Sequence, residues 1–377
     1  MGEPISAEPA SLAREDGPDA QVAPAACSPV FGSFDTVVEG WYWALPSAEL
    51  KRGQVRALTF LGRELVLYRD DQGVVRCVDA FCPHMGAHLA EGRVDGDGIR
   101  CFFHHWKLAP RGEVVDIPCQ PKPARARNRV WPVSERYGLI WIWPGAEATR
   151  PVPVIPELEG QEVDHLLGNR FEKGCHPNIV MVNAIDEQHF HSVHPLASSL
   201  ADGLHFAITS LSDHCQQFDN DRPVPANNLL NRLLARFYAG PLTYRMVYWN
   251  GSTGSVTVGP DFLHFHIIFA LRPTERGTSE GQTILVTARR GGLLGRLFNT
   301  FVLRVTEIVG NYFAKGDTQV FQTIRWKFRT PIRADRPILE FMRHLESQRA
   351  VPWGAWDGDR QNTAVTAAFE RGPSCRP

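Results

Sequence analysis

Between residues 57 and 78, apolar positions come in short runs broken by turn residues. Ala57-Leu58-Thr59-Phe60-Leu61, Glu64-Leu65-Val66-Leu67-Tyr68 and Val74-Val75-Arg76-Cys77-Val78 are separated by Gly62 and by Asp70-Asp71-Gln72-Gly73. Runs of this kind bounded by Gly and Asp predict strands joined as hairpins. Val114-Val115-Asp116-Ile117 and Gly138-Leu139-Ile140-Trp141-Ile142-Trp143 add further strands, so residues 40–150 are expected to form a small all-β domain.

Pro151-Val152-Pro153-Val154-Ile155-Pro156 then reads as an extended boundary segment, because closely spaced prolines resist helix. Beyond it, Ser255-Val256-Thr257-Val258, His264-Phe265-His266-Ile267-Ile268-Phe269 and Thr283-Ile284-Leu285-Val286-Thr287 alternate as antiparallel strands do. Leu294 to about Gln322 predicts one long helix. Residues 151–350 are expected to be a second domain.

Composition changes this picture mainly at the ends. Residues 1–30 are rich in Ala, Pro, Asp and Glu and lack an apolar core segment, so no secretory signal is expected there. A disordered segment over 1–35 and a flexible tail over 357–377 are the expectation. No apolar run reaches the roughly 18 to 20 residues that cross a bilayer. The 377 residues allow two domains, and a formal charge of -1 gives no bulk argument for nucleic acid or an anionic membrane. Of 8 cysteines, Cys27, Cys77, Cys119, Cys175, Cys215 and Cys375 have no paired spacing, which points to free thiols in a reducing cytoplasm.

The other two cysteines carry chemistry. Cys82-Pro83-His84 is answered by Cys101-Phe102-Phe103-His104. Each half supplies one thiol and one imidazole. A zinc finger gathers its ligands on one ion and usually pairs like with like; the interleaved order suits a two-iron, two-sulfur cluster whose thiolates hold one iron and whose imidazoles hold the other. An unusual structural zinc site is the competing reading. His88 and His105 lie beside these loops but break the spacing, and are expected to pack or to fill hydrogen bonds. Lys122, Arg125, Arg127, Arg129 and Arg136 form a basic stretch, which is either a solvated face or a dock for an acidic ferredoxin.

On these residues the chain resembles the oxygenase component of Rieske non-haem iron oxygenases. Phe102 and His105 stand where the family commonly has proline and glycine. The Phe-His-His-Trp variant is most similar to the branch that contains aminopyrrolnitrin oxygenase. The resemblance implies an α+β fold, with an N-terminal Rieske [2Fe-2S] domain followed by a curved antiparallel sheet wrapped around a long C-terminal helix. It also implies a homotrimer served by a ferredoxin and/or an NAD(P)H-dependent reductase.

A second motif follows at Asn183-Ala184-Ile185-Asp186-Glu187-Gln188-His189-Phe190-His191-Ser192-Val193-His194. His189 and His194 are the candidate ligands of a mononuclear Fe(II), with His191 as the rival. Two imidazoles and a carboxylate on one face of iron leave room for dioxygen beside a substrate. Residues five apart on an ideal helix diverge by about 140°, so the helix must end or distort between them, and Pro195 favours that. Asp317 is the candidate carboxylate, with Glu307 and Asp335 as rivals. By family likeness, Asp186 bridges to cluster ligand His104 of a neighbouring subunit.

The chain is therefore expected to be a Rieske-type oxygenase using O2 and external electrons. Its substrate should be small and largely apolar or aromatic, with Phe206, Phe237, Tyr238, Tyr244, Tyr248 and Trp249 as candidate pocket residues. Hydroxylation, N-oxygenation, desaturation and oxidative cyclisation all remain open. The alternative is an electron-transfer protein without oxygenase chemistry. Arg289-Arg290-Gly291-Gly292-Leu293-Leu294-Gly295 is too loose for a dinucleotide fingerprint.

Overall fold

The computed structural model describes residues 30–194, 206–223 and 229–354. Most of the expected N-terminal segment, Cys27, Pro195, Cys375 and the expected tail lie outside them. The segment's end is corrected: Val30 and Phe31 are buried, packed with Phe341 and Met342. Two isolated apolar residues after a polar stretch gave no pattern to read.

The first half is built from short antiparallel strands. They are β1 (Thr36–Val38), β2 (Tyr42–Pro46), β3 (Val55–Phe60), β4 (Arg63–Arg69), β5 (Val75–Asp79), β6 (Arg93–Asp95), β7 (Gly98–Arg100), β8 (Lys107–Leu108), β9 (Val114–Asp116), β10 (Val133–Arg136) and β11 (Leu139–Ile142). They form three-stranded sheets β3-β4-β5 and β10-β11-β2 and a four-stranded sheet β6-β7-β8-β9. In β4, Leu65, Val66, Leu67 and Tyr68 are all fully buried. That is why its run is continuous rather than alternating: both faces are covered.

The second half is one seven-stranded antiparallel sheet of β12 (Val163–Lys173), β13 (Ala207–Ser212), β14 (Cys215–Pro223), β15 (Pro241–Trp249), β16 (Thr253–Pro260), β17 (Phe265–Pro273) and β18 (Ser279–Ala288). Its spatial order is β12-β18-β17-β16-β15-β14-β13. Helices α1 (Pro177–Val182), α2 (Glu187–Val193), α3 (Leu229–Phe237), α4 (Gly292–Thr323) and α5 (Arg336–Glu346) accompany it, and β19 (Ala350–Pro352) pairs back onto β1. The fold is α+β, as expected.

Helix α4 has 32 residues and turns Asn299, Val302, Leu303 and Thr306 inward, the i, i+3, i+4, i+7 spacing of one helix face. Leu303 packs on Ile267 and Leu285 of the sheet. The two halves meet in a buried layer where Trp43, Trp141 and Trp143 lie against Ile268, Ile284 and Val286. Each such ring, at about 150–250 Å² of burial and about 25 cal/mol per Å², contributes at most about 4 to 6 kcal/mol before entropy is subtracted.

Candidate metal centres and cavity

The first site sits at the tips of two loops of like construction. The Cys82 amide donates to the Ala87 carbonyl at 2.9 Å, and the Cys101 amide donates to the Trp106 carbonyl at 3.0 Å. Each bond folds its loop so that the cysteine lies within and the histidine faces out. Both thiols are buried and both imidazoles exposed. Burial, with Cys101 alongside, pushes the Cys82 thiol up to about 11. A free thiol pair held this way is costly to ionise, and a cation bound between the sulfurs removes that cost.

The His84 and His104 rings are 4.7 Å apart, and Trp106 stacks on His84 at 4.2 Å. The two candidate histidines thus meet at the tips of the loops that carry the two candidate cysteines. His105 has φ 59, in the left-handed region, which explains why glycine is the ordinary residue there. Its carbonyl accepts from Arg100 Nη1 at 2.6 Å, so the strained backbone is tied down. His88 caps a short turn, accepting from the Ala90 amide at 3.1 Å. In the basic stretch, Lys122, Arg125 and Arg127 are exposed, whereas Arg129 lies over the Trp131 ring at 3.8 Å.

The second site lies inside the large sheet. Asp186 caps α2, its Oδ1 accepting from the Gln188 amide at 2.9 Å and the His189 amide at 3.4 Å. The Asp186 carbonyl accepts from His189 Nδ1 at 2.7 Å. That bond puts the proton on Nδ1 and leaves the Nε2 lone pair outward, 3.2 Å from Asn183 Nδ2. Burial holds His189 below the ordinary imidazole value. His194 terminates α2 with non-helical φ -118 and ψ 78. The helix does end between the two histidines, and their rings come to 5.2 Å.

Asp317 arrives from α4. Ligand atoms of His189, His194 and Asp317 all lie within 4.8 Å of one another. His194 Nε2 and Asp317 Oδ1 are buried and 3.0 Å apart, and neither has another hydrogen-bond partner among the described residues. Two buried ligand-type atoms turned towards each other, with His189 beside them, fit the ligands of one cation. The rivals are engaged elsewhere: Glu307 pairs with Arg304 at 2.8 Å, and Asp335 accepts from Gln188 Nε2 at 3.2 Å and the Ile332 amide at 2.8 Å.

These three side chains open into a cavity of about 740 Å³ whose wall is mostly apolar, including Phe171, Phe190, Tyr244, Phe265, Ile267 and Phe313. Of the pocket candidates named from sequence, Tyr244 lines it, Phe206 packs behind Tyr244, Tyr248 is core, and Phe237 is exposed.

Two residues beside the candidate iron site escaped the sequence reading. Lys173 is buried, donates from Nζ to Thr318 Oγ1 at 2.8 Å, and is held below the ordinary lysine value by desolvation. Its signal was there: Phe171 and Lys173 share a face of one strand. Gly316 allows α4 to pass His194, since a Cβ there would come to 3.1 Å from Cε1. A glycine inside a long helix, costing about 1 kcal/mol, was its signal.

Residues 40–135 match the family model of the Rieske [2Fe-2S] domain. The chain is 39% identical over 170 residues to "Cholesterol 7-desaturase nvd" of Bombyx mori, covering 44% of this chain and 37% of that one. It is 34% identical over 183 residues to "Aminopyrrolnitrin oxygenase PrnD" of Pseudomonas fluorescens, covering 45% and 50%. The match thus spans half or less of these relatives' length. Dicamba monooxygenase has a similar fold, with a TM-score of 0.56 at 22% identity over 83% of this chain and 98% of that one. The chain is a Rieske-domain protein whose sequence relatives are named as oxygenases and a desaturase, and it has the fold of a Rieske oxygenase's oxygenase component.

Proposed function

We propose that this chain is the oxygenase component of a Rieske non-haem iron oxygenase acting on a small, largely apolar or aromatic substrate. Residues 40–150 form the Rieske domain and 151–350 the catalytic domain. Cys82, His84, Cys101 and His104 hold the [2Fe-2S] cluster, and His189, His194 and Asp317 hold Fe(II). When bound, the cluster supplies electrons and the mononuclear iron supplies dioxygen chemistry. The chain's own part is to fix the His189 tautomer through the Asp186 carbonyl, to keep water from the site with an apolar wall, and to seat the substrate beside the triad.

Asp186 couples the two centres by meeting His104 of a neighbouring copy in a homotrimer. Electrons come from a ferredoxin and/or an NAD(P)H-dependent reductase in a reducing cytoplasm. The observation that carries the reading is the triad at the cavity wall, its ligand-type atoms gathered within 4.8 Å of one another and His194 turned towards Asp317. An electron-transfer protein has no use for a cavity of about 740 Å³ beside three such groups.

The test is iron and acid-labile sulfide per chain on anaerobically purified protein. About three irons with about two sulfides support both centres. About two of each, persisting after Fe(II) reconstitution, would return the chain to the electron carriers.

A further inference from the structure

One rim of the large sheet carries exposed apolar residues from three separate segments. The strand register brings them to the same end. Leu242, at the start of β15, is opposite Pro260, at the end of β16; Phe265, at the start of β17, is opposite Val258; and His266 is opposite Val286, near the end of β18. Helix α3 therefore enters this rim, the loop between β16 and β17 turns at it, and α4 starts from it. Tyr238, just past α3, touches Phe262 of that loop at 5.5 Å and receives the Asp261 amide on its hydroxyl at 2.9 Å. Asn299 ties the first turns of α4 to the Ala288 carbonyl at 3.1 Å.

The side chains that face outward here are large. Leu233 and Phe237 of α3, Phe262 of the loop, and Leu294, Leu297 and Phe301 of α4 are all more than half exposed. Among the described residues nothing covers them. Monomeric surfaces rarely leave such a patch without a partner. Arg232, Arg236 and Arg296 are exposed among them and form no ion pair with the described residues. Leu and Phe beside exposed Arg on helix faces is the composition of a surface that lies on an anionic bilayer, with rings and leucines in the acyl boundary and guanidinium groups at the phosphates. A two-fold contact through this patch would set arginine against arginine, whereas a head-to-tail contact would not, and the oligomeric state of the patch variants reads that second occupant. Among the described residues, no helix is long and apolar enough to cross a membrane.

The cavity reaches the same rim. Leu242, Val258, Gly259 and Phe265 line it, and they are the residues at these strand ends. We propose that this rim, formed by α3, the loop at Phe262 and the first turns of α4, docks the protein peripherally on an anionic lipid surface. The cavity is thereby presented to molecules dissolved in the bilayer. The docking does not depend on the metal sites; only the passage of substrate from the bilayer rests on the proposed oxygenase reading.

The experiment is co-sedimentation of the full chain with vesicles of phosphatidylcholine alone and of phosphatidylcholine with phosphatidylserine at about three to one. Three arginines at about 1 kcal/mol each predict partition about a hundredfold stronger onto the anionic vesicles at low salt, falling as salt rises. Leu233→Gln with Phe237→Gln, and separately Leu294→Gln with Leu297→Gln, should each lower binding at least tenfold while the visible spectrum stays unchanged. No binding to anionic vesicles at low salt overturns the proposal. So does a patch variant that changes oligomeric state in a protein whose parent ignores vesicles, since a second copy then covers the rim. His189→Ala, which removes a candidate iron ligand, should bind vesicles as the parent does, so loss of the metal reading leaves this result standing.

Discussion

At the tip of the β-module, Cys82 and Cys101 are 4% and 2% exposed while His84 and His104 stand open to solvent. Beneath the large sheet, His189 and His194 are 8% and 2% exposed, with an apolar cavity on their open side. A group that passes electrons needs an edge near the surface for its partners. One that performs chemistry needs a dry chamber that admits its substrate and little else. The same residue type, histidine, stands at opposite depths, and on the proposed reading burial rather than identity separates the two roles.

The largest effects should come from removing a ligand at either depth. Cys101→Ser should abolish acid-labile sulfide, the visible spectrum and turnover together, because a hydroxyl does not replace a thiolate on the cluster iron. His194→Ala should abolish turnover just as fully, yet keep about two irons, about two sulfides and an unchanged spectrum. Metal analysis of the two variants side by side checks this. If His194→Ala also loses sulfide, the two sites are not separate and the contrast breaks.

Next in size is the link between the sites. Asp186 caps α2 through Oδ1, so Asp186→Ala confounds a lost cap, worth about 1 kcal/mol, with lost coupling. Asp186→Asn retains an oxygen for the cap and removes the charge. It should keep both metals and melt within about 0.5 kcal/mol of the parent, but lose turnover at least a hundredfold. Near-normal turnover in Asp186→Asn would remove Asp186 from the electron path.

Acid should distinguish the two regions thermodynamically. His176 is buried under Phe34, with ring centroids 4.9 Å apart, and burial lowers its pKa to about 4. The unfolded chain binds this proton near pH 6.5, the folded chain only near 4. Stability from this group is whole above about 6.5 and is lost as pH falls through that window, about 3 kcal/mol by its end. His176→Asn keeps an acceptor for the Asn178 amide and should flatten the acid limb of urea melts. An unchanged pH slope between about 6.5 and 4.5 in that variant would mean the ring is not held neutral.

What could be read in advance follows from what each feature depends on. Ligand motifs stood out because metal chemistry needs particular atoms at short spacings, and strands such as β4 because burial on both faces imposes an apolar run. The end of α2 at His194 was legible through Pro195 and the geometry of five-residue spacing. The cavity was not, because its wall is assembled from strands distant in sequence. Phe237 and Tyr244 are both apolar aromatics, yet one faces solvent and the other the cavity. Val30 and Phe31 were lost for the same reason, since their partners Phe341 and Met342 lie at the far end of the chain. The rim was hidden by averaging: a net charge of -1 conceals three arginines gathered on one edge.

The smallest expected effect concerns the exposed site. His105 holds φ 59, a conformation costing an L-residue about 1 to 2 kcal/mol that glycine avoids. Glycine also loosens the unfolded chain by about 0.5 to 1 kcal/mol. The difference predicts that His105→Gly gains about 0.5 to 1 kcal/mol, a rise in Tm of about 2 °C, and leaves the cluster's reduction potential unchanged. The Arg100 bond runs to the His105 carbonyl, so the backbone tie survives the substitution. A stabilised variant with an unmoved potential makes the imidazole a bystander at the cluster tip. A destabilised variant, or a shifted potential, would mean that the ring itself contributes to the proposed electron-transfer site, and the exposed centre would then involve a side chain beyond its four proposed ligands, as Asn183 stands beside His189 in the buried one.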